Sequence, residues 1–478
     1  MIDYITYKYS FKKYILFFIL IFSLITFSCS SAFNYPQFRN SQVFEKGINS
    51  ILKQYNFNAS IGIKVVSLKN NKTLFEKNSS KLFTPASNLK LFTLSSALEL
   101  LGPDYSFKTV IGVENNNISL IGGGDPTFTS KNLDSLAAIV SSKLQRIDTL
   151  FIDATMMDNL DYGNGWMWDE GSEEFSAAIS AITVNNNCIN FEYSPSTVGK
   201  PTQINFFPNS ENISIVNNSV TVDDTINFSK FRIDRDWINQ SNDFIISGEV
   251  LIDSQKDTLK KNIYKPQKYN ADLFVTFLNS YGIDIGQIKF KKNKNKMDTI
   301  AVHKSRHLSD ISKVMMFESN NQIAELFLKT IGFKKYGIGS SNKGSTALKT
   351  FIFNEAKIDT NFLRISDGSG LSRYNLLNAN QIIELLIYMD KSIYANDFKK
   401  VLPNGGSKNS RLEDRLVNTG TKIKAKTGSL SGVSSFSGYI ISNRHGPLAF
   451  SILINGFTGP SEPYRDFQNQ ICKWLIKA

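Results

Sequence analysis

The alternation of apolar and polar residues divides the chain into three stretches of different texture. In the first, VFEKGINSILKQYNF (43–57) repeats its apolar residues with helical period. IGIKVVSLKNNKTLFEKN then predicts a β-hairpin turning at Asn70-Asn71. TPASNLKLFTLSSALELLG predicts a helix, with Thr84 as N-cap, Pro85 in the first turn and Gly102 ending it. From about 105 to 300 the pattern shifts to short alternating strands with many Asn and Asp, a GGGDP turn at 122–126, and few long helices before DLFVTFLNSYG (272–282). Residues 188–244 are the richest in strands. After 308 the helical period returns in LSDISKVMMFESNNQIAELFLKTIG, STALKTFIFNEA and ANQIIELLIYMDKS. Three strands follow, IKAKTGSLSG, SSFSGYIIS and LAFSILING, and an amphipathic EPYRDFQNQICKWLIKA closes the chain.

Composition narrows the reading. Across 478 residues, 41% are hydrophobic and 20% charged, which is ordinary globular material for two to four domains. The net charge of +12 admits a polyanionic partner, but the basic residues are scattered. Their densest run, KFKKNKNKMD (289–298), lacks interleaved aromatics and reads as a solvated loop, so no nucleic-acid partner is expected. Three cysteines without a C-x-x-C pair, and three histidines, argue against a Cys/His zinc site, and no metal is expected. A Cys188–Cys472 disulfide is open to the pair in an oxidising compartment, but unpaired thiols are the favoured reading. At the N-terminus, Lys8, Lys12 and Lys13 precede the uncharged YILFFILIFSLITF (14–27), which is short for a membrane span and right for an export signal. Cleavage after Ser30-Ser31-Ala32 and lipidation of Cys29 both fit, and an uncleaved anchor is a third reading.

Three short motifs carry candidate chemistry. In Ser87-Asn88-Leu89-Lys90, Ser87 falls at a helix start and Lys90 lies one turn on, on the same face. The surrounding apolar residues desolvate the lysine and lower its pKa, as a lysine base requires. The helix N-terminus offers N–H groups to an oxyanion. S-x-x-K alone is weak, since it recurs at Ser10–Lys13 and Ser340–Lys343. Lys426-Thr427-Gly428-Ser429 occurs once, in a strand where glycine admits a close substrate backbone and a threonine hydroxyl suits a carboxylate. Ser319-Asn320-Asn321 sets polar groups between VMMF and QIAELFLKTIG. S-x-x-K, S-x-N and K-T-G in this order form the motif set of penicillin-binding proteins and class A β-lactamases.

Ser87 and Ser319 stand 232 positions apart (319 − 87). With GGGDPTF (122–128), the Ile152–Trp166 stretch, SAITVNNN (180–187), SDGSGLSRYN (366–375) and LPNGG (402–406), that gap resembles the low-molecular-mass class C penicillin-binding proteins, the D-alanyl-D-alanine carboxypeptidase/endopeptidases. The resemblance implies an α+β multidomain chain. A transpeptidase-like domain, an antiparallel sheet between helices, spans 33–104 and 298–478 after a signal at 1–32. A mainly β inserted domain spans 105–187 and 245–297, with a smaller nested one at 188–244. It implies an acyl-enzyme on Ser87, with Lys90 as base, Ser319 relaying the leaving-group proton, Asn321 holding the substrate amide and Lys426 adding positive charge. Thr427, Gly428 and Ser429 would bind the substrate's end, and Asp153 and Arg373 would stand near its side chain. Ser431 follows K-T-G-S-L, where relatives carry a longer polar residue. The implied partners are peptidoglycan stem peptides and β-lactam antibiotics, with no cofactor, in a periplasmic protein touching the membrane only through a lipid on Cys29. A β-lactamase or a catalytically idle penicillin-recognising protein are the alternatives; no loop carboxylate that would activate deacylating water stands out.

Overall fold

The computed structural model describes residues 35–224 and 229–478. The export-signal reading, and with it Cys29, lies outside the described residues. Helix α1 (Tyr35–Tyr55) leads into the hairpin β1 (Ser60–Ser67) and β2 (Thr73–Lys77), with Asn71 left-handed at its turn (φ 57°). These two strands complete an antiparallel sheet with the last three, β16 (Ile423–Leu430), β17 (Val433–Ser442) and β18 (Gly446–Asn455), in the order β16-β17-β18-β1-β2. Alternation decides its two faces. Ile63, Val65, Phe436 and Phe450 meet Phe44 and Ile48 of α1 and Phe467, Ile471 and Leu475 of α10 (Glu462–Lys477). Val66, Tyr439, Ala449 and Leu453 meet the helices that carry Leu91, Phe92, Phe327, Ile382 and Leu386. The sheet thus lies between helices, as expected, and β16 is left at its edge.

The helix expected over the first motif forms differently from its sequence signals. Thr84 does not cap it. Asn455 instead brackets Thr84, accepting from its N–H at 2.8 Å and donating to its carbonyl at 3.1 Å. Ala86 turns left-handed (φ 47°), a 3₁₀ turn runs Ala86–Leu89, and α2 continues from Lys90 to Leu101 before Gly102 (φ 88°). The long helical run after 308 is likewise broken. Helices α5 (Leu308–Phe317) and α6 (Asn321–Tyr336) meet at Ser319 (φ 64°), and Asn320 caps α6 through the Ile323 N–H.

Between them, β3 (Lys108–Glu114), β4 (Asn117–Ile121), β5 (Arg146–Asp153), β14 (Asp284–Lys289) and β15 (Asp298–Lys304) form a second sheet in the order β14-β5-β4-β3-β15. Helices α3 (Ser130–Ser141) and α4 (Pro266–Ser280) supply core residues against it, Leu133 and Phe274 among them. The sequence reading passed over α3, although a Thr129/Asn132 capping box announces it. Two expected boundaries fall inside hydrogen-bonded ladders. Strand β15 begins at Asp298 and pairs with β3, so this sheet continues past 297. Strands Glu249–Leu251 and Asp257–Asn262 pair with Val220–Val222 and Cys188–Ser194, so the smaller strand cluster continues past 244. Ile233, Phe244 and Ile246 of that cluster share one apolar core with Ile111, Leu150 and Phe274 of the larger sheet. Cys188 and Cys472 are buried free thiols. No helix among the described residues is long and apolar enough to cross a membrane.

Candidate active site

The 3₁₀ turn sets half-buried Ser87 at the mouth of a cleft and fully buried Lys90 beneath it. Lys90 Nζ lies 3.0 Å from Ser87 Oγ, 2.6 Å from Asn321 Oδ1 and 2.7 Å from the Ser369 carbonyl. Burial pulls its pKa from 10.5 down to about 7, against the opposing pull of the Asp367 and Glu325 carboxylates. Those three contacts also suit a neutral amine: two N–H groups serve Asn321 and Ser369, and the lone pair faces the Ser87 hydroxyl. Asn321 Nδ2 in turn donates to the Phe175 carbonyl at 3.0 Å.

Lys426 is fully buried on the cleft's other wall and donates to Ser319 Oγ and to the Thr427 carbonyl, both at 2.9 Å. Its burial and the charges of Lys90 and Arg411 push it well below the usual lysine value. Strands β16 and β17 are clamped to the turn that carries Ser87. Asn88 Nδ2 donates to the Lys426 carbonyl at 3.0 Å, and Ser435 Oγ donates to the Pro85 carbonyl at 2.6 Å. A Cβ on Gly428 would stand 2.9 Å from the Ser87 nitrogen and 2.2 Å from Ser435 Oγ, so only glycine fits there.

The cleft has a volume of about 730 Å³ and runs along the free edge of β16, lined there by Thr427, Gly428, Ser429 and Ser431. Arg373 lies at its far end and donates to the Ser431 carbonyl at 2.9 Å. The structure therefore brings Ser87, Lys90, Ser319, Asn321, Lys426, Thr427, Gly428, Ser429 and Arg373 to one place. It does not bring Asp153, which is not among the cleft-lining residues. That carboxylate is buried at the end of β5 and accepts from the N–H and hydroxyl of Thr155, at 3.0 and 2.6 Å. Asp-x-Thr reads as a local turn, and here it makes one.

Sequence reasoning missed two carboxylates behind Lys90. Buried Glu325 accepts from the N–H groups of Gly368 and Ser369, and burial pushes its pKa up to about 8. Buried Asp367 accepts from Trp166 Nε1, Ser369 Oγ and the Gly370 and Ser372 N–H groups. A lone glutamate inside QIAELFL was the available signal for the first. The inserted stretch also supplies Met167, Asp169, Glu170 and Phe175 to the cleft wall.

The D-Ala-D-Ala carboxypeptidase 3 (S13) family matches this chain over residues 44–478. The chain belongs to that family. As an S13 peptidase it is a serine-type hydrolase of D-alanyl-D-alanine. Among similar proteins, the D-alanyl-D-alanine carboxypeptidase of Actinomadura sp. (strain R39) is 30% identical over 426 residues, 84% of this chain and 78% of that one. The crystal structure of Haemophilus influenzae penicillin binding protein 4 shares the fold, with a TM-score of 0.77 at 24% identity over 90% of this chain and 99% of its own. A predatory peptidoglycan endopeptidase of Bdellovibrio bacteriovorus superposes with a TM-score of 0.52 at 17% identity, over 88% and 93% of the two chains. The S13 assignment extends the motif resemblance across the insertion and the C-terminal helix.

Proposed function

We propose that Ser87 is the nucleophile of a serine D,D-peptidase acting on peptidoglycan stem peptides, through an ester to the carbonyl of the penultimate D-alanine. The observation that carries this reading is a buried lysine amine, its pKa near 7, 3.0 Å from the Ser87 hydroxyl. Lys90 takes the Ser87 proton as Oγ bonds to the carbonyl carbon. The N–H groups of Ser87 and Ser429 receive the oxyanion. The C–N bond then breaks, and the proton that Lys90 took passes to the departing nitrogen through Ser319, which Lys426 holds and polarises, so that Lys90 is again neutral and can take a proton from the water that follows. Water cleaves the ester, returning Ser87 and freeing the carboxylate. Asn321 steadies the substrate amide, Thr427 receives the terminal carboxylate, and Arg373 stands beside the stem side chain. The exposed edge of β16 suits a peptide bound as an added strand. Removal of terminal D-alanine and cleavage of D-alanyl cross-links are both within this chemistry, and β-lactams acylate the same serine. The N-terminal pattern supports export to the periplasm, either as a free protein or lipidated at Cys29.

Benzylpenicillin tests the assignment. Intact-protein mass spectrometry is expected to find one adduct per chain, mapping to the peptide that contains Ser87, and none on Ser87→Ala. A stable adduct on that variant refutes the nucleophile.

A further inference from the structure

The cleft does not end at Ser319. A second recess of about 330 Å³ opens beyond it and shares Ser319, Asn321, Phe175 and Arg411 with the main cleft. Direction along the cleft follows from β16. At one end Lys426 holds Ser319, and at the other the Ser431 carbonyl takes Arg373. If Ser319 delivers the proton to the departing nitrogen, the leaving amino acid lies at the Ser319 end, where the two cavities join. A leaving D-alanine carries a carboxylate on the carbon next to that nitrogen.

Arg411 stands at this junction. Its backbone is fixed by a hydrogen bond from its N–H to the Phe317 carbonyl at 3.2 Å and by the fully buried Leu412 beside it. Its side chain is exposed, and only Nε has a partner, the Glu318 carbonyl at 3.4 Å. Among the described residues no carboxylate lies within ion-pair distance of its guanidinium, so both Nη groups are free. It adds a positive charge to a mouth that already holds Lys90 and Lys426, and that charge disfavours the ammonium form of both. Its free Nη groups present the fork that matches a carboxylate where the two cavities join, whereas Glu174, Glu318 and Glu413 line the recess beyond and not the main cleft.

We propose that Arg411 is a specificity-determining residue that takes the carboxylate of the departing amino acid beside Ser319, where the recess joins the main cleft. The proposal rests on the reading of Ser87 as nucleophile and Ser319 as its leaving-group partner. It adds a second grip on the carboxylate to the Thr427 hydroxyl.

Two thioesters with the same acyl-D-alanyl part test it. One leaves as thioglycolate, with a carboxylate one carbon from the leaving atom; the other leaves as neutral mercaptoethanol. The ratio of their kcat/KM values is expected to fall about tenfold or more in Arg411→Ala, the size of a lost charge-assisted contact. Arg411→Lys, which keeps the charge without the fork, is expected to recover part of it. One-to-one labelling by benzylpenicillin reports that each variant keeps its nucleophile. A ratio within twofold of the parent overturns the proposal. So does an equal loss on both thioesters with a displaced pH profile, which means that Arg411 acts only through the lysines. Ser87→Ala separates this failure from that of the underlying reading: a variant that still turns over either thioester removes the nucleophile, and the leaving-group end with it.

Discussion

In the proposed mechanism Lys90 is the residue whose state decides when the site works. A lysine accepts a proton only as the neutral amine, and at its ordinary value of 10.5 almost none is neutral at pH 7. Burial brings the pKa to about 7, while Asp367 and Glu325 keep it from falling further. Because the neutral form is the base, the acylation rate is expected to rise with pH through about 7 and level off above it. Benzylpenicillin acylation measured from pH 5 to 9 checks this. A profile flat throughout, or still climbing steeply at pH 9, contradicts the assignment. Lys90→Ala is expected to lose about 10²–10⁴ in that rate while keeping its circular dichroism. The S-x-x-K spacing made Lys90 legible in the sequence. Its two carboxylate neighbours were not legible, because they come from α6 and the 366–375 loop and meet the lysine only after folding. Asp153 failed for the opposite reason: its partner is two residues away, and a local turn satisfied it before any substrate could.

At the scale of elements, the site is a contact between an edge strand and a strained turn. The strands were readable from alternation, and the K-T-G glycine was readable as a point of close approach. The turn was not. Thr84, Pro85 and Ser87 look like ordinary helix-start residues, but Asn455 at the far end of the chain holds Thr84 and leaves Ala86 to turn left-handed. The break at Ser319 was hidden likewise, because the apolar period runs on through it. Gly428 and Gly370 are where the turn is pressed from two sides. A Cβ on Gly370 (φ 85°) would stand 1.9 Å from the Ala86 carbonyl oxygen. Gly428→Ala is therefore expected to push β16 away from Ser87 and the N–H proposed to receive the oxyanion. Losing one such donor costs about 10²–10³ in rate. Stopped-flow acylation by a chromogenic cephalosporin reads this directly. A rate within threefold of the parent, in a variant of normal melting temperature, means that β16 does not press on the turn as its geometry requires.

The whole molecule ties the insertion to the catalytic cleft more closely than its sequence texture suggested. The three motifs lie outside the 105–297 stretch, which reads as a placement device remote from bond-making. Yet Phe175 receives the Asn321 amide, Trp166 donates to Asp367, and Gln322 donates to the Ala178 and Asn186 carbonyls. Removing the whole stretch would strip these partners from the site, so the coupling is better tested at one brace. Asn262, buried at the end of the smaller strand cluster, provides it. Its Nδ2 donates to the Gly171 and Glu173 carbonyls and to Ser176 Oγ, at 3.2, 2.9 and 3.2 Å. Its Oδ1 accepts from Arg235. The segment it grips, 171–176, carries Phe175 to the cleft. Asn262→Ala removes its hydrogen bonds to the 171–176 segment and the side-chain acceptor of buried Arg235, and is expected to cost about 2–3 kcal/mol in stability. If the brace positions the cleft wall, the variant also loses cross-linked muropeptide cleavage several-fold more than penicillin acylation, since a small β-lactam needs less of that wall than a peptide does. Asn262→Asp separates positioning from packing: it keeps the side chain's size and the Arg235 contact but removes both donors, and it is expected to show the same divergence. Denaturant melts establish that each variant is folded at the assay temperature, and the two activities are then compared. Equal loss of both, or muropeptide cleavage at the parent's rate, would mean that the insertion's grip on 171–176 holds the fold and has no part in placing the substrate.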